Sequence, residues 1–132
     1  MSRRQLFGDA QRYVPKLVEV LMSWQTNAGS NPDVTLFIPK TSNGVTSITR
    51  VTTGEYLVTL SDPMHKLVNA FVELEDSSTG DGRYGTKGPM SGVGTGTITF
   101  KVWTNAANGT KTDFASSRVS MRLEFKDGLV ND

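Results

Sequence analysis

With 132 residues, the chain is long enough for one domain that buries roughly 65–70% of its unfolded surface. It contains no cysteine, which excludes disulfides and thiolate-held metals, and its 14 lysines and arginines against 13 aspartates and glutamates lack the basic excess of a dedicated nucleic-acid binder. No apolar run reaches the length of a membrane span, and Met1-Ser2-Arg3-Arg4 has no apolar stretch behind it, unlike a secretory signal. A single-domain protein made in the cytosol is expected.

The first sixteen residues stand apart. Arg3, Arg4, Arg12 and Lys16 face a single Asp9, with Leu6, Phe7, Tyr13 and Val14 scattered among them. There is no strand period, although residues 5–13 suit a short helix. Two readings stay open: a frayed terminus, or an arm whose aromatic residues anchor it on a neighbour.

Beyond the arm, apolar and polar residues alternate with a period of two, the signature of strands with one buried face. Over 17–26, Val18, Val20, Met22 and Trp24 share a face. Leu17, Leu21 and Trp24 also fit a helical spacing, but the β-branched content and the turn cluster at 27–32 favour a strand. A second strand spans 34–38, ended by Pro39, and Asn43-Gly44 marks a tight turn. Residues 45–51 and 55–60 flank Thr52-Thr53-Gly54 as a hairpin. After Asp62-Pro63, residues 67–74 run back with Val68, Ala70, Val72 and Leu74 on one face and Leu67 and Phe71 on the other. Both faces being apolar predicts a central strand or one that meets a partner.

Residues 80–96 hold seven of the 13 glycines and are expected to form a long irregular loop, either mobile or held by an external surface. Alternation resumes over 97–104, with Ile98, Phe100 and Val102 opposite Trp103, and ends in the cleanest strand, Arg118 to Lys126. Seven strands separated by turns predict an all-β fold: a single antiparallel β-sandwich or barrel over 17–132, with an irregular arm at 1–16 and a glycine-rich loop at 80–96. Met22, Trp24, Tyr56, Val58, Phe100, Val119, Met121, Leu123 and Phe125 are expected to be buried, and Trp103 is most simply core as well.

Little in this pattern carries reaction chemistry. His65 is the only histidine, which leaves a zinc shell or a Ser-His-Asp set without supporting residues, and it reads as a surface turn residue. Gly80-Asp81-Gly82-Arg83-Tyr84-Gly85 matches G-x-G-x-x-G, but no helix follows to aim its amides at phosphate. Glu73, Glu75, Asp76 and Asp81 bracket one turn without the spacing of a calcium loop. Glu73 and Glu75 share a strand face, yet nothing places them in a glycosidase-like cleft. Asn108-Gly109-Thr110 is a glycosylation triplet that reads only as a turn. No catalytic set, metal or cofactor is expected.

Two passages carry a resemblance. The hairpin from Asn43 to Asp62, with Gly54-Glu55-Tyr56-Leu57-Val58-Thr59-Leu60-Ser61-Asp62 at its heart, and the closing Val119-Ser120-Met121-Arg122-Leu123-Glu124-Phe125-Lys126-Asp127 resemble segments of small β-rich virion accessory proteins of tailed bacteriophages. The resemblance implies a capsid decoration or cement protein, located in the virion and made in the host bacterial cytoplasm. Such a protein bridges major capsid subunits, assembles as a trimer or dimer, and touches neither nucleic acid nor membrane. The alternatives are a tail, neck or fibre-associated protein, and a receptor- or glycan-binding module in which Trp103, Tyr84 or Tyr56 stacks on a sugar. Expected partner contacts are Arg3, Arg4, Leu6, Phe7, Arg12 and Tyr13 in the arm, and Arg83, Tyr84 and Lys87 in the glycine-rich loop.

Overall fold

The computed structural model describes residues 17–27, 34–38, 44–64 and 66–126. The arm at 1–16, with its six expected contact residues, and His65 lie outside them. Among the described residues eight strands run in chain order: β1 (Leu17–Asn27), β2 (Val34–Ile38), β3 (Val45–Thr52), β4 (Glu55–Leu60), β5 (Lys66–Leu74), β6 (Tyr84–Ser91), β7 (Thr99–Asn105) and β8 (Ala115–Lys126). They form two four-stranded antiparallel sheets, sheet I in the order β2-β1-β8-β5 and sheet II in the order β3-β4-β7-β6. The fold is a sandwich, which settles the choice between sandwich and barrel.

Strict alternation along β8 places Val119, Met121, Leu123 and Phe125 inward, each at most 3% exposed. β1 pairs with β8 from Leu17↔Lys126 to Asn27↔Ala115, so Val20, Met22 and Trp24 lie beside that row. The leucines that mimic a helical period, Leu17 and Leu21, lie on the opposite face, 54% and 49% exposed. From sheet II, Tyr56, Val58 and Leu60 of β4 and Phe100 and Val102 of β7 complete the core with Ile98. The Trp24 and Tyr56 rings meet across the sheets at 6.4 Å, tilted by 58°, a favoured aromatic geometry. All nine residues expected in the core are buried.

Two expectations require correction. The supposed loop at 80–96 contains a full strand, β6, paired with β7. Its glycines serve close approach: a Cβ on Gly85 would sit 2.7 Å from Val72 Cγ1, and one on Gly88 would sit 2.9 Å from Trp103 Cη2. Glycine within a strand weakens local propensity, but here it lets the edges of the two sheets come together. The second correction concerns β5. A register shift between Leu67 and Asn69 inserts one residue, so Leu67 joins Ala70, Val72 and Leu74 against the core while Val68 is 44% exposed. A bulge of this kind reverses the parity of everything before it.

Replacing Leu123 by Ala should cost about 2–5 kcal/mol in a denaturant titration. Replacing outward Leu21 by Ala should stay within about 0.5 kcal/mol.

Candidate functional site

Charged side chains of the sandwich are largely committed to internal bonds. Asp113 receives both arms of Arg50, Nε at 3.2 Å and Nη2 at 2.6 Å, and accepts the Gly54 amide at 2.8 Å. These bonds clamp the segment before β8 onto the β3–β4 turn. Gly54 has φ +65°, and a Cβ there would sit 2.6 Å from the Thr112 nitrogen, so the turn admits only glycine. The Arg50 bonds, helped by the Gly54 amide, hold the Asp113 carboxyl below its ordinary pKa.

On the outer face of sheet II, Glu55 accepts the Trp103 indole N–H at 3.1 Å and pairs with Lys101 at 2.8 Å. Lys101 first, then Trp103, lowers the Glu55 pKa. The Lys111 ammonium lies 4.7 Å from the Trp103 ring centroid, a cation–π distance. Trp103 is therefore a half-buried surface residue packed against Gly88 and Lys111, rather than core.

The expected contacts on β6 and its preceding turn divide. Arg83 stacks on the Phe114 ring at 4.2 Å, donates from Nη1 to Ser117 Oγ at 2.6 Å and pairs with Asp81 at 3.2 Å, so it anchors the turn. Lys87 is turned inward, donates to the Gly88 carbonyl at 2.8 Å and lies 5.9 Å from the Phe100 ring centroid; burial lowers its pKa. Tyr84 alone of the three is open, 41% exposed. It borders a hollow of about 590 Å³ shared with Val72, Leu74, Glu75 and Arg118.

The acidic turn residues are likewise occupied. Asp76 accepts the amides of Ser77, Gly82 and Arg83, and Asp81 accepts the Ser77 amide. A hydrogen bond shared with Asp76, followed by those from Ser77 and the Arg83 charge, holds Asp81 at about 2. Among the described residues no group of three or more His, Asp or Glu side chains is gathered to hold a metal, and no helix is long and apolar enough to cross a membrane.

The outer face of sheet I has a different character. Pairing sets Leu21, Arg122 and Phe71 in one cross-strand row over β1, β8 and β5. Phe71 is 48% exposed, and the Arg122 guanidinium lies 4.5 Å from its ring centroid. Arg122 also reaches Glu19 at 3.6 Å and Glu124 at 3.8 Å, while Asn69 donates to Glu124 at 2.9 Å. These exposed pairs contribute little stability. They do hold the polar groups in place around a hollow of about 310 Å³ bounded by Leu21, Phe71 and Arg122. Leu17 extends the apolar stripe along β1. Alternation set Phe71 opposite Ala70, Val72 and Leu74, and Leu21 stood out only by a helical spacing; the β1-β8-β5 order brings the two to one row.

No protein-family model matches the chain, and neither a curated protein nor a solved structure matches it.

Asp113 makes acid stability testable. Because its pKa is lowered on folding, its contribution is fully present above the ordinary value of 3.8 and is lost as pH falls through the lower folded-state value. Asp113→Asn should therefore cost about 1–3 kcal/mol at neutral pH. The gap between the two proteins should close in strong acid, as read from denaturation midpoints across pH.

Proposed function

We propose that this chain is a non-enzymatic structural module, a capsid decoration or cement protein of a tailed bacteriophage, attached to the major capsid protein through the outer face of sheet I. The observation that carries the reading is the Leu21–Arg122–Phe71 row, extended by Leu17: a flat, half-exposed apolar stripe interleaved with charges of both signs. Apolar area of this kind, rimmed by polar groups, is typical of protein–protein contacts. Many copies on a shell turn modest single contacts into firm attachment. The arm at 1–16 would add Arg3, Arg4 and Arg12 to pair with acidic capsid groups, and Leu6, Phe7 and Tyr13 as anchors.

A receptor- or glycan-binding role is the second reading, and its support is the open Tyr84 beside the β5–β6 hollow. Tyr56 and Trp103 are less suited to stacking on a sugar: the first is fully buried, and the second is packed against Gly88 and Lys111.

Leu21→Asp should leave the circular dichroism spectrum unchanged and reduce co-sedimentation with capsid shells at least about tenfold, since it replaces apolar contact area with a carboxylate that must be desolvated on docking. Undiminished occupancy would refute attachment through this face. Recovery with tails in place of capsids would move the protein to the tail, neck or fibre class, and glycan binding lost in Tyr84→Ala would support the second reading.

A further inference from the structure

Each open sheet has two edges, and an edge is a row of backbone N–H and C=O groups ready to pair with another chain. Among the described strands, three of the four edges are blunted. β2 is only five residues long, and β3 is broken by two register irregularities. β6 carries Pro89, an irregularity between Lys87 and Met90, and an inward-turned lysine. β5 lacks such protection over most of its length: from Asn69 to Leu74 its register with β8 is unbroken, and the segment contains no proline, glycine or lysine. Half-exposed Phe71 lies at its middle.

We propose that β5 pairs antiparallel with β5 of a second copy of this chain, about a two-fold axis at Phe71, so that two copies of sheet I form one eight-stranded sheet. The backbone is compatible with this register, and the side chains select it. The Glu75 amide donates to the Arg118 carbonyl at 2.8 Å, which makes Glu75 and Arg118 a hydrogen-bonded pair. Alternation back along the strand aims the backbone groups of Glu73, Phe71 and Asn69 at β8 and those of Val72 and Ala70 outward. A two-fold axis at Phe71 sets Ala70 opposite Val72 of the other copy, both with outward hydrogen-bonding groups. Phe71 then meets its own counterpart at a non-hydrogen-bonded position, where Cα atoms stand about 4.5 Å apart and side chains are closest.

The side chains agree with that register. Asn69 faces Glu73 of the other copy, an amide against a carboxylate, and no like charges stand opposite within 69–73. The outer row continues through the axis as Leu21–Arg122–Phe71 followed by the same three residues in reverse. The segment is thus its own complement, which makes a second copy the fitting occupant. The hollow along Val72, Glu73 and Leu74, walled by Tyr84 and Gly85, offers room beside the edge. Leu17 and Leu21 stay on the open face of the joined sheet. The pairing goes beyond attachment to a shell and does not rest on it.

The natural lack of cysteine permits a direct test with the purified full chain. Phe71→Cys should oxidise to a disulfide-linked dimer, because about 4.5 Å between Cα atoms lies within the range a disulfide spans. Glu73→Cys should not, since the two-fold would hold its copies roughly 13 Å apart along the strands. Ala70→Pro removes an outward N–H, which an unpaired edge tolerates, and should raise the dimer dissociation constant at least about tenfold with the circular dichroism spectrum preserved. Sedimentation of the unmodified chain at about 100 µM should show dimer. A strictly monomeric species at that concentration, or crosslinking of Glu73→Cys as efficient as that of Phe71→Cys, would overturn the proposal.

Discussion

The sandwich depends on β8. It is the longest of the described strands, and it sits inside sheet I with β1 on one side and β5 on the other, so its backbone bonds in both directions. Its inward row Val119, Met121, Leu123 and Phe125 fills the centre of the core, while Arg122 on its outer face joins Leu21 to Phe71. One period-two pattern thus supplies both the packing that stabilises the domain and the surface it offers. A register slip of one residue along this strand would exchange the two faces.

The remaining polar chemistry mostly ties loops to this frame. Arg50 and Asp113 bind the β3–β4 turn to the approach to β8, and Thr26 reinforces the same approach by donating to the Phe114 carbonyl at 2.6 Å. Glu55 gathers Trp103 and Lys101 on sheet II, and Asp76 with Asp81 organises the turn before β6. With those groups occupied, the outer face of sheet I and the free side of β5 are where the described residues combine open apolar area with available backbone. Flat sheet and a free strand edge are suited to binding by extended contact.

Alternation and turn residues alone determined the all-β class, the bounds of β2 and β4, and the nine core side chains, because in a strand the direction of each side chain follows from its parity. Three matters were decided by tertiary structure. The bulge between Leu67 and Asn69 reversed the face of Leu67, and its cause is pairing with β8, which local residue order does not record. β6 was hidden because Gly85 and Gly88 read as loop formers until Val72 and Trp103 pack against them and require the missing Cβ atoms. Arg83 and Lys87 looked like open contacts beside Tyr84, but Phe114, Ser117 and the Gly88 carbonyl claim the first two. Parity is a local property of the backbone and can be read from the chain. The sheet order that gathers Leu21, Arg122 and Phe71, and leaves β5 at an edge, arises from contacts between segments far apart in the chain, such as Leu17 with Lys126.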